Sequence, residues 1–226
     1  MKDNLEKTYS QAHYSFIDQV IQKKREKMLI LIKEFLKNKD IEDVLDVGST
    51  EDEKNKSSNY IVKNLGNYKK YKSISDQSIN SDFFSVKVKK SITEDYTVSE
   101  IEDYKSDLVI SNATIEHVGS LENQTKMCKN ILKLSKKYFI IITPNRYHPL
   151  DFHTKLPFFH WLPKKIHRKI LSILGMHFLS KEENLNLLSN NDLQRIMEKL
   201  NHFNFEVKKI NFLFFKSNLL LFGKII

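Results

Sequence analysis

Two carboxylates follow short apolar runs at places where a strand is expected to end in a turn. Asp46 lies two residues before Gly48, in the run that begins at Val44. A glycine there lets the backbone bend sharply and approach a ligand closely, and the Asp46 carboxylate can orient the turn or bind an ammonium group. Asp76 follows the next run, residues 71–75. A carboxylate at that place can accept two hydrogen bonds from ribose hydroxyls.

A third polar turn follows the apolar segment 107–113 and has the sequence Thr-Ile-Glu-His, residues 114–117. His117 is the best candidate for a general base, because histidine titrates near neutral pH. The alternative is that His117 packs beside a ligand or caps the turn. Glu116 is expected at the surface or at a helix start, where it can bind a substrate.

The segment 144–188 contains all four prolines and most of the histidines. We interpret it as an insertion that covers a substrate. Arg146 and Lys155 are suited to hold a phosphate or carboxylate, and Trp161 can pack on a sugar or ring. The further candidates for substrate contact are Asn145, His148 and His153.

The same segment allows two other interpretations. His148, Asp151 and His153 do not have a standard zinc spacing and no cysteine lies near them, so the sequence predicts no metal site. Residues 157–174 combine aromatic, leucine and basic side chains and suit a helix at the edge of an anionic membrane. The alternative is that four apolar side chains are core or dimer contacts: Phe158, Phe159, Trp161 and Leu162.

The elements that must position these residues alternate between strand and helix. Apolar periodicity predicts strands at 44–47, 71–75, 85–88, 107–113 and 138–143, helices at 15–37, 55–66, 98–104, 121–135 and 190–202, and two final strands at 205–215 and 219–226 joined at 216–218. Alternation predicts an α/β fold, a doubly wound, mostly parallel seven-stranded sheet with an antiparallel hairpin at its C-terminal edge. Ligands of such sheets bind beyond the carboxyl ends of the strands.

Four segments together resemble the class I S-adenosylmethionine-dependent methyltransferases of the type 11 kind. These are VLDVGS, Asp76, DLVISNATIEHVGS and YFIIITPNR, and the resemblance covers roughly residues 41–143. The resemblance implies a Rossmann-like methyltransferase fold and S-adenosyl-L-methionine as cofactor. It also implies the cofactor contacts: Asp46, Gly48 and Ser49 at the methionine part, Asp76 at the ribose, backbone atoms of Ser91 or Ile92 at the adenine, and Asn112 and Ala113 after the fourth strand.

Residues 143–171 also resemble uncharacterised methyltransferases encoded among bacterial surface-glycan genes, which implies a glycan-linked acceptor. The first motif departs from the family because Ser49 and Thr50 replace its further glycines. A non-catalytic module with the same fold therefore stays an alternative.

The formal net charge of +9 suggests a nucleic-acid, membrane or phosphorylated partner. Lysines scattered along the chain favour a solvated surface instead. The lone cysteine, Cys128, and the lack of a signal-like start or an 18-residue apolar run favour a cytoplasmic protein. We expect one domain, 1–226, with an N-terminal helical segment at 1–40 and the insertion at 144–188.

The sequence thus predicts methyl transfer to an oxygen or nitrogen of a small or glycan-linked acceptor, which we expect to be anionic. The alternative is an RNA methyltransferase. The Asn/Asp-Pro-Pro-aromatic motif of many base methylases is absent, which disfavours nucleic acid as a partner. A dehydrogenase is disfavoured because no Gly-x-Gly-x-x-Gly follows the first strand. Peripheral membrane contact and a homodimer stay open.

Overall fold

The structure, a computed structural model, describes residues 16–51, 58–212 and 214–225, with side chains from Gln22 onward. The strands are β1 Asp43–Val47, β2 Lys70–Ser75, β3 Val86–Lys89, β4 Ser106–Asn112, β5 Ser135–Pro144, β6 Phe205–Phe212 and β7 Phe215–Lys224. The helices are α1 Phe16–Leu36, α2 Tyr60–Lys63, α3 Val98–Tyr104, α4 Leu121–Leu134, α5 Lys164–Ile173 and α6 Asn190–Lys199.

The seven strands form one sheet in the order β3-β2-β1-β4-β5-β7-β6. The first five strands run parallel, and β7 is antiparallel to both β5 and β6. The predicted fold class is therefore confirmed. The strand order reverses between β1 and β4, so a ligand is expected at the carboxyl ends of these two strands.

Alternate side chains of the central strands enter two cores, one on each face of the sheet. Leu45 and Val109 lie in the core that α4 and α6 cover, and Val44 and Ile110 lie in the core that α1 covers. All four side chains are fully buried. This two-sided burial explains why the strands read as continuous apolar runs.

The predicted boundaries of the final hairpin and of the helix in the insertion were wrong. The final hairpin pairs Phe212 with Phe215, and residues 216–218 lie inside β7. Polar residues of this kind are typical of a turn, but here Asn145 binds them within the strand. Its Nδ2 donates to the Lys216 carbonyl, and its N–H donates to the Ser217 carbonyl. The predicted helix 157–174 is a 3₁₀ turn at Phe159–Trp161 followed by α5, because the residue before a proline, here Pro163, favours extended backbone.

Residues 1–15, 52–57, 213 and 226 lie outside the described residues, and parts of the predicted end elements and of helix 55–66 fall on them. In the described part of 55–66 only α2 is helical, with turns at 58–59 and 64, so the predicted helix was too long. No helix in the described ranges is long and apolar enough to span a bilayer.

Candidate active site

The turn after β1 is built around Gly48. Its φ is +89°, and a Cβ at this position would lie 2.1 Å from Thr114 Oγ1. The Gly48 N–H donates to the Ile74 carbonyl over 2.8 Å. A glycine is therefore required both by the backbone conformation and by the close approach of the turn after β4.

Hydroxyl groups from β2 and β4 hold this turn. Ser75 Oγ donates to the Ser49 carbonyl over 2.8 Å, and Ser111 Oγ donates to the Val47 carbonyl over 2.9 Å. Thr114 Oγ1 donates to the same Val47 carbonyl over 3.2 Å. Hydrogen bonds thus connect the carboxyl ends of the three neighbouring strands β2, β1 and β4.

Asp46 and Asp76 lie in different surroundings at this edge. Asp46 is 6% exposed, and Ser49 Oγ donates to its Oδ2 over 2.5 Å. Burial raises the pKa of Asp46 to about 6, against the opposing effect of the Ser49 hydrogen bond. Asp76 is exposed directly beyond β2. Asp46 is consequently still ionised at neutral pH, and the Asp76 carboxylate is accessible to hydroxyl groups.

The other predicted cofactor residues lie on the turns after β3 and β4. Ala113 has φ 56° and donates its N–H to the Ile142 carbonyl, so the chain leaves β4 at Asn112 in a left-handed bend. Ile92 is buried in the core, and its carbonyl accepts from Asn130 Nδ2. The Ser91 N–H donates to Glu94 Oε1. These backbone groups are thus already partly occupied, and the adenine contact stays a prediction.

Glu116 was expected at the surface or at a helix start; it is fully buried, which contradicts the surface alternative and leaves the helix start. It lies in the 3₁₀ turn Ile115–His117. Its Oε2 accepts from Thr143 Oγ1 over 2.9 Å, and among the described residues its Oε1 has no hydrogen-bond partner. No local pattern indicated this burial, because the partner Thr143 belongs to the next strand of the sheet.

His117 and His153 meet beside Glu116. Their ring centroids lie 5.0 Å apart, and His153 Nε2 is 3.9 Å from Glu116 Oε1. His117 Nδ1 lies 2.6 Å from the Asn184 carbonyl, and His153 Nδ1 lies 3.2 Å from Asp151 Oδ1. Burial lowers the pKa of His117. Burial also acts to lower the pKa of His153, but the hydrogen bond and charge of Asp151 outweigh it and raise that pKa.

The Asp151 carboxylate is held in the turn that carries His153. Thr154 Oγ1 donates to its Oδ2 over 2.7 Å, and the His153 N–H donates to its Oδ1 over 3.0 Å. Burial opposes ionisation of Asp151, but His153 and Thr154 outweigh this effect and hold its pKa well below the usual range. Asp151 was not among the residues predicted to bind substrate.

Lys24 of α1 is a further residue that the sequence did not single out. Its Nζ lies 4.0 Å from the centroid of the Phe152 ring. Burial and the charge of Arg25 lower the pKa of Lys24 to about 8, although Glu116 acts to raise it. The first helix therefore contributes a cation to the surroundings of Glu116. The sequence predicted the helix that carries Lys24, but it did not predict that Lys24 lies near Glu116.

The insertion 144–188 is joined to the turn after β4 through its last residues. The Asn186 N–H donates to the Glu116 carbonyl over 2.7 Å, and Asn186 Nδ2 donates to the Gly119 carbonyl over 2.7 Å. Gln124 Nε2 donates to the carbonyls of both Ile115 and Asn186. The insertion thus positions Glu116 and His117 as well as His153.

The remaining predicted substrate residues are spread over the insertion. Arg146 donates to the carbonyls of His160 and Leu162, and Trp161 Nε1 donates to the His148 carbonyl. His148 itself is buried and stacks on Phe152. The described residues of the insertion thus hold Arg146 and Trp161 by backbone carbonyls, and their roles, with those of Asn145 and Lys155, stay predictions.

Four apolar side chains of the insertion are 38–54% exposed, which excludes their assignment to the core. They are Phe158, Phe159, Trp161 and Leu162. Dimer or membrane contact of these side chains stays a prediction.

Comparison with known proteins agrees with this architecture. No protein-family model and no curated protein matches the chain. Solved structures do match. Magnesium protoporphyrin IX methyltransferase from Synechocystis PCC 6803, with bound SAH, is 12% identical, with a TM-score of 0.57 over 100% of this chain and 94% of that one. The N-methyltransferase NodS from Bradyrhizobium japonicum WM9, with bound S-adenosyl-L-homocysteine, is 9% identical, with a TM-score of 0.52 over 90% and 86%. The chain therefore has the Rossmann-like fold of these class I methyltransferases.

Proposed function

We propose that the protein is an S-adenosylmethionine-dependent methyltransferase. The observation that carries the proposal is the edge where β1, β2 and β4 end. There Gly48 brings the backbone of two turns together, Asp46 offers a carboxylate, and Asp76 stands exposed beyond β2. In the proposed complex Asp76 accepts from the ribose hydroxyls, and Asp46 faces the ammonium of the methionine part.

The chemistry asks for alignment more than for acid or base groups. The sulfonium methyl is already activated, so an in-line attack by the acceptor oxygen or nitrogen forms one bond to carbon while the carbon–sulfur bond breaks. Holding the two reactants in line and excluding water can supply most of the rate. We propose that His117 serves the acceptor side, because it lies four residues beyond the pair Asn112–Ala113 and its pKa is lowered by burial.

The acceptor class that we propose is a small or glycan-linked molecule that carries an anionic group. Basic side chains of the insertion support it, since Arg146, Lys164 and Arg168 lie close together beside His160 and His167. Lys164 donates to Asn186 Oδ1 over 2.6 Å, and the Asn186 N–H donates to the Glu116 carbonyl, so this basic group is connected to the Glu116 turn.

Calorimetric titration with S-adenosylhomocysteine tests the proposal. We expect 1:1 binding by the wild-type protein and about 10-fold or greater weakening in Asp76→Ala, because each hydrogen bond to a charged group contributes about 1.5–3 kcal/mol. Asp103→Ala is the matched control, since Asp103 is also exposed but lies in α3, next to the amino end of β4. Equal affinity of wild type and Asp76→Ala would remove Asp76 from the ribose role.

A further inference from the structure

We propose that Glu116, His117 and His153 form a binding site for one divalent first-row transition-metal ion. Each of the three offers a donor atom, and these atoms all lie within 4.8 Å of one another. Two imidazoles and one carboxylate are the donor set of open catalytic zinc sites and of non-haem iron sites. The ion that this set would take is therefore Zn²⁺, Fe²⁺ or Mn²⁺.

The buried carboxylate of Glu116 is the observation that points to a ligand. Its side chain is 0% exposed, and one oxygen, Oε1, has no hydrogen-bond partner among the described residues. A buried acceptor without a partner costs about 1–3 kcal/mol, and more when it is charged. The only ion pair that Glu116 makes within the described part of the chain is the one with His153, at 3.9 Å. A cation bound between these residues would satisfy the oxygen.

Both imidazole rings are oriented by hydrogen bonds in the way that metal ligands usually are. His117 Nδ1 lies 2.6 Å from the Asn184 carbonyl, which can only accept, so Nδ1 carries the proton. His153 Nδ1 donates to Asp151 Oδ1 in the same way. In the neutral ring the lone pair then lies on Nε2, and His153 Nε2 is the atom that faces Glu116. Outer carboxylates and carbonyls of this kind set the tautomer of metal-bound histidines.

The elements that carry the three ligands are rigid enough for a preformed site. Thr143 of β5 fixes the second oxygen of Glu116, and Asn186 and Gln124 bind the carbonyls of the turn from outside. Ligand atoms on one ion at bonds of about 2.0–2.1 Å lie about 3.3 Å apart in a tetrahedral site. Side-chain movements of about 1 Å would therefore close the site, with no change of the backbone.

The role that we infer for the ion rests on the proposed methyl transfer. In this role His117 serves the acceptor side as a ligand of the ion. An ion with open positions would bind the acceptor hydroxyl and lower its pKa. The hydroxyl proton then passes to water, the oxygen forms a bond to the methyl carbon, and the carbon–sulfur electron pair returns to the sulfur. The products are the methyl ether, S-adenosylhomocysteine and a proton.

The test uses chelator-treated, tag-free protein titrated with Zn²⁺ and with Mn²⁺ in a calorimeter. We expect one ion per chain. Asp151→Asn should weaken binding about 10- to 100-fold, as loss of an outer carboxylate does, and Glu116→Gln and His153→Gln should weaken it more. His177→Gln is the control, because His177 is exposed on the insertion.

Two results would overturn the site: no 1:1 binding of either ion, or binding that Glu116→Gln and His153→Gln leave unchanged. Thermal unfolding of the metal-free variants shows that each one folds, and Glu116→Gln keeps the shape needed to accept from Thr143. Titration of the same chelated protein with S-adenosylhomocysteine separates the two proposals, since cofactor binding can persist when metal binding fails.

Discussion

At the scale of single residues, Gly48 and Thr114 define how closely two turns of the sheet approach each other. The hydroxyl of Thr114 occupies the volume that a Cβ on residue 48 would need. This contact joins the two strands at which the strand order reverses. The place where a ligand is expected is therefore also a place where the Gly48 backbone packs tightly against the side chain of Thr114.

Gly48→Ala is expected to lower the free energy of unfolding by about 2–5 kcal/mol, because left-handed strain and a steric clash each cost about 1–3 kcal/mol. Urea denaturation measures the change. Gly175→Ala is the matched control: its φ is +77°, but nothing lies within 4 Å of the added Cβ. It should lose only the strain, about 1–3 kcal/mol. Equal losses in the two variants would contradict the role given to Thr114.

The positions of the turns could be predicted from the local sequence pattern. The burial of polar side chains could not, because it depends on contacts between distant parts of the chain. The apolar run before Gly48 and the turn at Ala113 could be predicted, since both depend on neighbouring residues. Glu116 could not, because its partner Thr143 and its neighbour His153 come from β5 and the insertion. The metal set that the sequence spacing disfavoured combined His153 with His148 and Asp151, and in the structure His148 stacks on Phe152.

At the scale of elements, the insertion and the turn after β4 form one hydrogen-bonded unit. Asn186 links them through its backbone N–H, which donates to the Glu116 carbonyl, and through Nδ2, which donates to the Gly119 carbonyl. A contact with the insertion also explains why the predicted boundary of the final hairpin was wrong. Ser217 and Asn218 are polar but buried within β7, because the start of the insertion at Asn145 pairs with that strand.

Asn186→Ala should destabilise the protein by about 2–3 kcal/mol, since the Gly119 carbonyl and Lys164 each lose a buried partner. Amide hydrogen exchange at residues 116–119 should also become faster than in the wild type. Asn191→Ala, at an exposed position of α6, is the control. Unchanged exchange at the turn would show that the insertion does not hold Glu116 in place.

At the scale of the whole molecule, the alternation of elements predicted the parallel part of the sheet, and the two final strands predicted the antiparallel hairpin. The order of the strands came from the structure, and the solved methyltransferase structures share the fold. These structures are 9–12% identical to the chain, so they support the fold. The identity of the acceptor has to come from experiment. The two faces of the sheet bury separate cores. Function is concentrated at one edge, where the turns after β1, β2 and β4 lie together with the insertion.

Hydrogen exchange of the wild-type protein, with and without S-adenosylhomocysteine at about millimolar concentration, tests the central claim most directly. We predict slower exchange in the turns after β1, β2 and β4, at residues 46–51, 76–80 and 112–117. Exchange in the hairpin of β6 and β7 should not change. Absence of any protection at that concentration would contradict the proposed cofactor and favour a module that keeps the fold without the reaction. Protection confined to the hairpin would contradict the proposed site.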